Sequence, residues 1–406
     1  MIRDLTADCV HCGFCLPTCP TYVLWHEEMD SPRGRIHLMD ARLDGAVTLN
    51  DTVTAHFDRC LGCMACVTSC PSGVRYDRLI ETTRAAVERE HDRPWTERAL
   101  RGLLFRVLPH PGRMRVALRL VPLGHAVPMP RRFRPLVQVA PAWRGRGEVP
   151  TVTPAAGARR GRVGLLTGCV QAAVFPDVNA ATARVLAADG FDVVAPPQGC
   201  CGALSVHAGR LEEGKAFARK LLGAFENVDA VVVNSSGCGS HLKELGWLLD
   251  DDRAAAFAAT VRDVGELLTE VGPRARRHPL PMRVALQDPC HVRHAQALPL
   301  ASLPALERIP ALEVVEPAEQ DLCCGSAGIY NLVQPDAALE LGDRKAADIL
   351  ATGAQAYASA NPGCLVQVSH ALRRARRPLP ALHPIELVDA SIRNAGAARM
   401  LSSARR

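Results

Sequence analysis

Cys9-Val10-His11-Cys12-Gly13-Phe14-Cys15-Leu16-Pro17-Thr18-Cys19-Pro20 and Cys60-Leu61-Gly62-Cys63-Met64-Ala65-Cys66-Val67-Thr68-Ser69-Cys70-Pro71 are two copies of one pattern, C-x2-C-x2-C-x3-C-P. In this pattern a tight triplet supplies three thiolates to one cubane [4Fe–4S] cluster, and the fourth cysteine of each run ligates the other cluster. The spacing therefore predicts Cys9, Cys12, Cys15 and Cys70 around one cluster, and Cys60, Cys63, Cys66 and Cys19 around a second. Zinc is the plainer alternative, but structural zinc sites usually pair two short Cys-x2-Cys units, and neither run stops at two cysteines. Two crossed clusters in one unit put redox centres close together, as a conduit for single electrons requires. Forty residues separate Cys19 from Cys60 and include a predicted helix over 36–43 rather than a hairpin. The unit, residues 1–90, therefore reads as an α-helical ferredoxin-like domain.

The rest of the chain narrows the class. With 406 residues, 48% apolar and 22% charged, it is neither disordered nor collagenous nor a coiled coil. At about 150 residues per domain, its length suggests two or three domains. Sixteen cysteines would mark a disulfide scaffold in a short secreted protein. No apolar signal stretch precedes Cys9, so the expectation is a reducing cytoplasm, where closely spaced cysteines bind metal or carry redox chemistry. Gly, Pro or Arg interrupts every apolar window of spanning length, which predicts a soluble or peripheral protein. The net charge of +6 is unevenly placed. Residues 91–147 carry twelve arginines against Asp92 and Glu97, so the remainder of the chain is net negative.

Beyond residue 160 the sequence repeats itself. Cys169, Cys200-Cys201-Gly202 and Gly237-Cys238 recur as Cys290, Cys323-Cys324-Gly325 and Gly363-Cys364, at offsets of 121, 123 and 126 residues. Short apolar runs, such as 231–233, 284–286, 312–315 and 356–359, alternate with helical stretches predicted over 176–188, 239–249 and 336–350. That alternation argues for βαβ units on a parallel sheet. The cysteines fall just after the apolar runs, and the carboxyl ends of parallel strands are where sites assemble. Predicted helices that start just after a cysteine would stabilise thiolate charge. The expected fold is thus α+β and multidomain. A helical N-terminal domain is followed by a basic linker or docking segment, 91–160, and a duplicated α/β domain with parallel sheets, 161–280 and 281–406.

Chemistry alone leaves the second set of cysteines open. Cys169, Cys200, Cys201 and Cys238 could hold a third cluster, bind zinc with His241, or cycle as a thiol–disulfide pair; buried cysteines acting as small hydrophobes are the blandest option. Cys290, Cys323, Cys324 and Cys364 offer the same choices, with His291 and His294 nearby. A lone histidine after a strand is more often structural. No G-x-G-x-x-G follows a predicted strand and no phosphate loop is present, so the chain lacks a dinucleotide fingerprint. Hydride chemistry then needs a flavin elsewhere to split electron pairs, which implies a partner subunit and no catalytic residue in this chain. The basic segment, with Leu103, Leu104, Phe105, Val107 and Leu108 among Arg98, Arg101 and Arg106, suits an anionic membrane surface, an acidic partner, or pairing within the chain. Nucleic acid is not expected, because only 4% of residues are aromatic and no binding motif accompanies the charge.

These residues together resemble the iron–sulfur subunits of bacterial glycolate oxidase, a glycolate dehydrogenase, over nearly the full length. The resemblance rests on Cys9-Val-His-Cys-Gly-Phe-Cys15, Cys19-Pro-Thr-Tyr22, Ser31-Pro-Arg-Gly-Arg35, Gly168-Cys-Val-Gln171, Asn179-Ala-Ala-Thr-Ala-Arg184, Ser236-Gly-Cys-Gly239 and Leu322-Cys-Cys-Gly-Ser-Ala-Gly328. The repeated half is similar to the cysteine-rich CCG domain of heterodisulfide reductase B and anaerobic glycerol-3-phosphate dehydrogenase C subunits. The resemblance implies two [4Fe–4S] clusters, a further cluster in the CCG domains, and FAD on partner glycolate dehydrogenase subunits. It also implies electron flow to a membrane acceptor such as quinone, at the inner face of the cytoplasmic membrane, during oxidation of glycolate to glyoxylate. Related alternatives are a lactate or glycerol-3-phosphate dehydrogenase subunit, a reductase of disulfides or quinone at the CCG domains, and a zinc-stabilised docking scaffold. One departure stands out: the fullest CCG pattern ends in Cys-x-x-Cys, whereas here the last positions are His241 and Gln367.

Overall fold

The computed structural model describes residues 2–126, 130–141 and 148–402. Arg144 and Arg146 of the basic segment lie outside the described residues, as does the side chain of Arg131. Among the described residues nine strands follow in chain order: β1 (Val152–Thr153), β2 (Gly161–Leu166), β3 (Phe191–Val194), β4 (Ala230–Val233), β5 (Val261–Asp263), β6 (Met282–Leu286), β7 (Leu312–Val315), β8 (Ala356–Ala358) and β9 (Ala381–Leu382).

The duplication extends to topology. One sheet has the order β1-β3-β2-β4-β5 and the other β7-β6-β8-β9, so β2 to β5 and β6 to β9 are wound identically. All pairs are parallel except β1, which adds antiparallel to the outer edge of β3 through Val152 and Thr153. The central strands β2, β4, β6 and β8 are largely buried apolar runs, as parallel strands covered on both faces must be. Crossovers run through helices such as Pro176–Ala188 and Pro335–Ala351, both opened by a proline at the first turn, where no N–H is needed. The predicted helix over 239–249 instead divides into Ser236–Lys243 and Leu245–Leu249.

The halves share one core. Val185 and Leu186 of the first pack with Val284, Leu365 and Leu387 of the second. Arg184 grips Asp389 with two bonds of 2.9 and 2.7 Å. The loops after the strands also meet directly: Ser236 N donates to Ala360 O at 3.1 Å, and His383 Nε2 donates to Asn234 O at 3.0 Å. The carboxyl ends of both sheets therefore meet at a common zone.

The N-terminal region is helical, and Ser31-Pro-Arg-Gly-Arg35 explains its shape residue by residue. The Ser31 hydroxyl caps Gly34 N at 3.0 Å, and Pro32 occupies the first helical position, so the helix is Pro32–Leu43, one turn longer than predicted. Arg33 reaches back to His11 O at 3.1 Å, holding the first cysteine run. A Cβ on Gly34 would lie 2.0 Å from Glu28 O, so only glycine permits the chain to pass there. Arg35 is fully buried, donating to His56 O at 2.6 Å and Thr21 Oγ1 at 3.1 Å and facing Asp30 Oδ1 at 3.4 Å. Asp30 is equally buried and also binds His56 Nδ1 and Arg59 NH1, each at 2.9 Å.

In the basic segment, helices Trp95–Val107 and Pro111–Ala126 lie against the rest of the chain. Arg93 and Arg101 pair inward with Asp58, Glu88 and Glu97. Among the described residues, no helix is long and apolar enough to cross a membrane.

Removing one partner of a buried ion pair leaves an uncompensated charge, which costs about 3–5 kcal/mol. Asp30→Ala is therefore expected to lower the stability of the full chain by that order in anaerobic urea unfolding. An unchanged midpoint would show that Arg35 does not depend on this carboxylate.

Candidate metal centres

No two of the sixteen cysteines are joined by a disulfide. Eight of them lie in the N-terminal region around two adjoining cavities. One is lined by Cys9, Cys12, Cys15 and Cys70, with Cys66 and the side chains of Ile36 and Tyr76. The other is lined by Cys19, Cys60, Cys63 and Cys66, with Arg35 and Tyr76. Each cavity thus takes the late cysteine of the opposite run, and Cys66 lies between them. The turns are enforced locally: His11, Gly13, Gly62 and Met64 all have positive φ, which folds each triplet back on itself.

The electrostatics differ between the cavities. Burial pushes the Cys9 thiol up and the Cys15 thiol up to about 11. Burial likewise raises Cys63 and Cys66. At Cys60 burial acts the same way, but the Arg35 and Arg84 guanidiniums outweigh it and the thiol falls below its ordinary value. Gly62 N at 3.4 Å and Tyr76 Oη at 3.8 Å also donate to Cys60 Sγ. Buried thiols ringed by N–H donors and fixed cations suit a bound group that carries net negative charge. In both cavities the thiols stand around the walls rather than at a single point.

The second set of eight cysteines converges on one cavity of about 190 Å³. Cys169, Cys200, Cys201 and Cys238 line it from the first half, and Cys290, Cys323, Cys324 and Cys364 from the second. Each follows a parallel strand, and Cys169 with Cys238 flanks the point between β2 and β4 where the winding order of the sheet reverses, the position at which open α/β sheets form crevices. Cys169 Sγ lies 3.4 Å from Cys200 Sγ and donates to it, so Cys169 is raised and Cys200 lowered. Asn361 Nδ2 donates to Cys364 Sγ at 3.4 Å in the second half.

The second N-terminal cavity shares wall residues Cys60 and Leu61 with this one. Leu61 and Cys63 pack in one cluster with Leu322, Cys323 and Tyr330, and Cys60 itself lines the large cavity. Arg84 ties the seam, donating to Cys60 O and, at 2.8 Å, to His207 O. His291 uses both ring nitrogens structurally. Nε2 donates to Gly62 O at 3.0 Å, which leaves Nδ1 to accept from Ser240 Oγ at 2.7 Å. His294 Nδ1 bonds Thr68 Oγ1 at 2.8 Å. His207 Nδ1 meets Glu81 Oε1 at 2.9 Å, and burial raises that carboxyl to about 7.

Sequence reading alone singles out none of Arg84, Tyr76, Glu81, His207 or Tyr330, because each acts across a sequence gap that no local motif marks. Gln171 lay in a quoted motif without a role. Its amide is buried against the large cavity with neither atom hydrogen bonded, and the Tyr330 hydroxyl there is likewise unpartnered. His241 does not line the cavity, and its Nε2 is buried without a partner.

Hydrogen bonds to a charged group contribute about 1.5–3 kcal/mol, so Arg84→Met is expected to reduce stability by that order and to expose the seam to limited proteolysis near residue 75. A variant as stable and as protease-resistant as the parent would mean that Arg84 does not hold the two regions together.

Comparison with known proteins agrees with this geometry. Residues 6–74 match the 4Fe-4S dicluster domain family, and residues 163–243 and 284–369 each match the cysteine-rich CCG domain family. The chain is 38% identical over 395 residues to the "Probable glycolate oxidase iron-sulfur subunit" of Bacillus subtilis, covering 90% of this chain and 89% of that one. It is 38% identical over 414 residues to the "Glycolate oxidase iron-sulfur subunit" of Escherichia coli, covering 96% of each. "Lactate utilization protein A" of an Exiguobacterium species is 27% identical over 247 residues, 57% of this chain and 99% of that one.

Proposed function

The chain belongs to the family of glycolate oxidase iron–sulfur subunits, and from that premise we propose that it is the electron-transfer subunit of a FAD-linked glycolate dehydrogenase. The observation that carries this reading is the run of three adjoining cysteine-lined cavities, two in the N-terminal region and one between the CCG halves. Cys9, Cys12, Cys15 and Cys70 would hold one [4Fe–4S] cluster, and Cys60, Cys63, Cys66 and Cys19 the second. Cys169, Cys200, Cys201 and Cys238, with Cys290, Cys323, Cys324 and Cys364, provide thiols for a further cluster. Such clusters, when bound, supply reversible one-electron chemistry over a wide range of potential. The chain's own residues do the rest. Arg35 and Arg84 place positive charge at Cys60, and the Gly62 N–H and Tyr76 hydroxyl donate to its sulfur. Apolar packing at Leu61, Cys63 and Cys323 excludes water from the junction.

In this reading the FAD and the glycolate-oxidising residues belong to partner subunits, the product is glyoxylate, and the electrons pass to quinone at the inner face of the cytoplasmic membrane. The working divisions are 1–90 for the ferredoxin-like domain, 91–160 for the basic segment, and 161–280 and 281–406 for the CCG halves.

A second reading, reduction of a disulfide or quinone inside the large cavity, draws support from the unpartnered Gln171 amide and Tyr330 hydroxyl on its wall. Cys324→Ala separates the two readings. Loss of acceptor reduction with every cluster signal intact favours chemistry in the cavity, whereas loss together with one cluster's signal favours a relay.

Anaerobically purified protein is expected to carry at least about eight irons per chain, four for each cubane. The crossing makes a sharper forecast. Cys12→Ser and Cys70→Ser should remove the same paramagnetic signal, Cys63→Ser and Cys19→Ser the other, and the Cys12/Cys70 double variant should lose no more than either single. Pairing of Cys12 with Cys19 instead would overturn the assignment. Co-purification with the native flavoprotein, followed by a dye-coupled screen of 2-hydroxy acids, tests the substrate. Glycolate should give the highest kcat/KM, and preference for lactate would redirect the assignment.

A further inference from the structure

The helix Pro111–Ala126 has two apolar faces, and only one is used by the fold. Met114 and Leu118 are buried in the core shared with the α/β halves. On the opposite side Val116, Leu120 and Leu123 are 56%, 55% and 64% exposed. Their spacing, i, i+4 and i+7, makes one continuous stripe along the helix. A surface helix needs a single apolar face to dock, so a second one facing water calls for an occupant. Arg113 and Arg119, three positions before and after Val116, border the stripe on either side and are themselves exposed. The helix contains no Asp or Glu.

The neighbouring helix Trp95–Val107 repeats the chemistry. It exposes Trp95 and Leu103 beside Arg98 and Arg106, and Arg113 NH1 donates to Arg106 O at 2.9 Å where the two helices join. Its one acidic side chain, Glu97, is turned inward onto Arg93, Arg101 and Arg132. The outward charge of both helices is thus wholly positive. An apolar stripe bordered by arginines is the pattern of a helix lying in a lipid interface: the stripe enters the acyl boundary, the arginine stems lie along it and their guanidiniums meet phosphates. An acidic protein would match the charge alone, and a neutral protein the stripe alone; an anionic bilayer matches both.

We infer that Val116, Leu120 and Leu123 seat this protein on an anionic lipid surface, with Arg113 and Arg119 binding headgroup phosphates. The inference extends the membrane end of the proposed function but is measured without it. The test uses the full, anaerobically purified chain in sedimentation with vesicles of zwitterionic lipid alone or with one third anionic lipid. The parent should partition onto the anionic vesicles, and raised salt should weaken that binding. Each fully buried apolar side chain contributes at least about a tenfold factor, so V116S/L120S/L123S should lower the partition about tenfold or more. R113Q/R119Q should remove the preference for anionic over zwitterionic lipid. Cluster absorbance should be unchanged in both variants, and the urea midpoint should be unchanged in V116S/L120S/L123S, whose three substituted side chains are exposed.

A parent chain that ignores anionic vesicles at low salt, or a triple variant that binds as the parent does, overturns the inference. So does a triple variant that keeps vesicle binding but no longer co-purifies with the flavoprotein, which would make the stripe a protein interface. Dye reduction in lipid-free solution reports on electron transfer separately, so failure of the seat and failure of the relay are read from different measurements.

Discussion

Thiols buried side by side resist ionisation and repel one another once charged, so a protein that gathers them must supply compensation from nearby. Here the compensation is built from backbone and arginine. At Cys60 two guanidiniums outweigh burial, and neither stands alone. Arg35 is anchored by Asp30, His56 O and Thr21, and Arg84 by the carbonyls of Cys60 and His207. The same two side chains are also structural ties. Arg35 joins Thr21 and Asp30 to His56, just before the second cysteine run, and Arg84 joins that run to the first α/β half. Electrostatic support of the thiols and assembly of the domains are therefore one set of contacts.

The second constraint is topological. A parallel sheet turns its strand ends to one side, and duplication supplies two such sheets whose ends face each other across the seam of Ser236, Ala360, His383 and Asn234. Cysteines up to 195 positions apart in sequence, from Cys169 to Cys364, come to line one cavity for this reason. Packing between the halves, through Arg184 and Asp389 on helices that do not line the cavity, ties the two walls together.

Much of the fold was legible in the sequence, and the reason is periodicity. The cysteine runs, the repeat offsets and the apolar runs at β4, β6, β7 and β8 are local patterns, and the structure places strands where those apolar runs fall. The helix over 176–188 matches to the residue, because its proline start and alanine-rich body are local too. Long-range partnerships were not legible. Nothing near Arg84 marks it as the residue that reaches Cys60 O, and nothing near Gly209 announces that Arg84 O would lie 2.4 Å from a Cβ there. The stretch predicted as one helix breaks at Glu244, whose pairing with Arg75 and Arg78 across the seam is likewise unmarked in the local sequence.

The two halves, though wound alike, have not kept equivalent sites, and the difference lies at the position where the fullest pattern has a final cysteine. In the second half Gln367 occupies it as a packing residue. It is buried, its Oε1 accepts from Asn331 Nδ2 at 3.1 Å and its Nε2 donates to Ala338 O at 2.6 Å. Gly342 leaves room for it, since a Cβ there would lie 2.9 Å from the amide nitrogen. Every polar atom of that side chain is engaged, so it has nothing left to offer a cluster. In the first half His241 is buried in a setting that lowers its pKa to about 4, chiefly through burial, so the ring is neutral. Its Nε2 has no hydrogen-bond partner. An amide held at both ends makes the second half a closed wall of four thiols, whereas the first half keeps a neutral imidazole nitrogen close to its own four. The duplicated fold therefore carries two chemically different groups at equivalent positions behind its thiols, a fully bonded amide in one half and a neutral imidazole in the other.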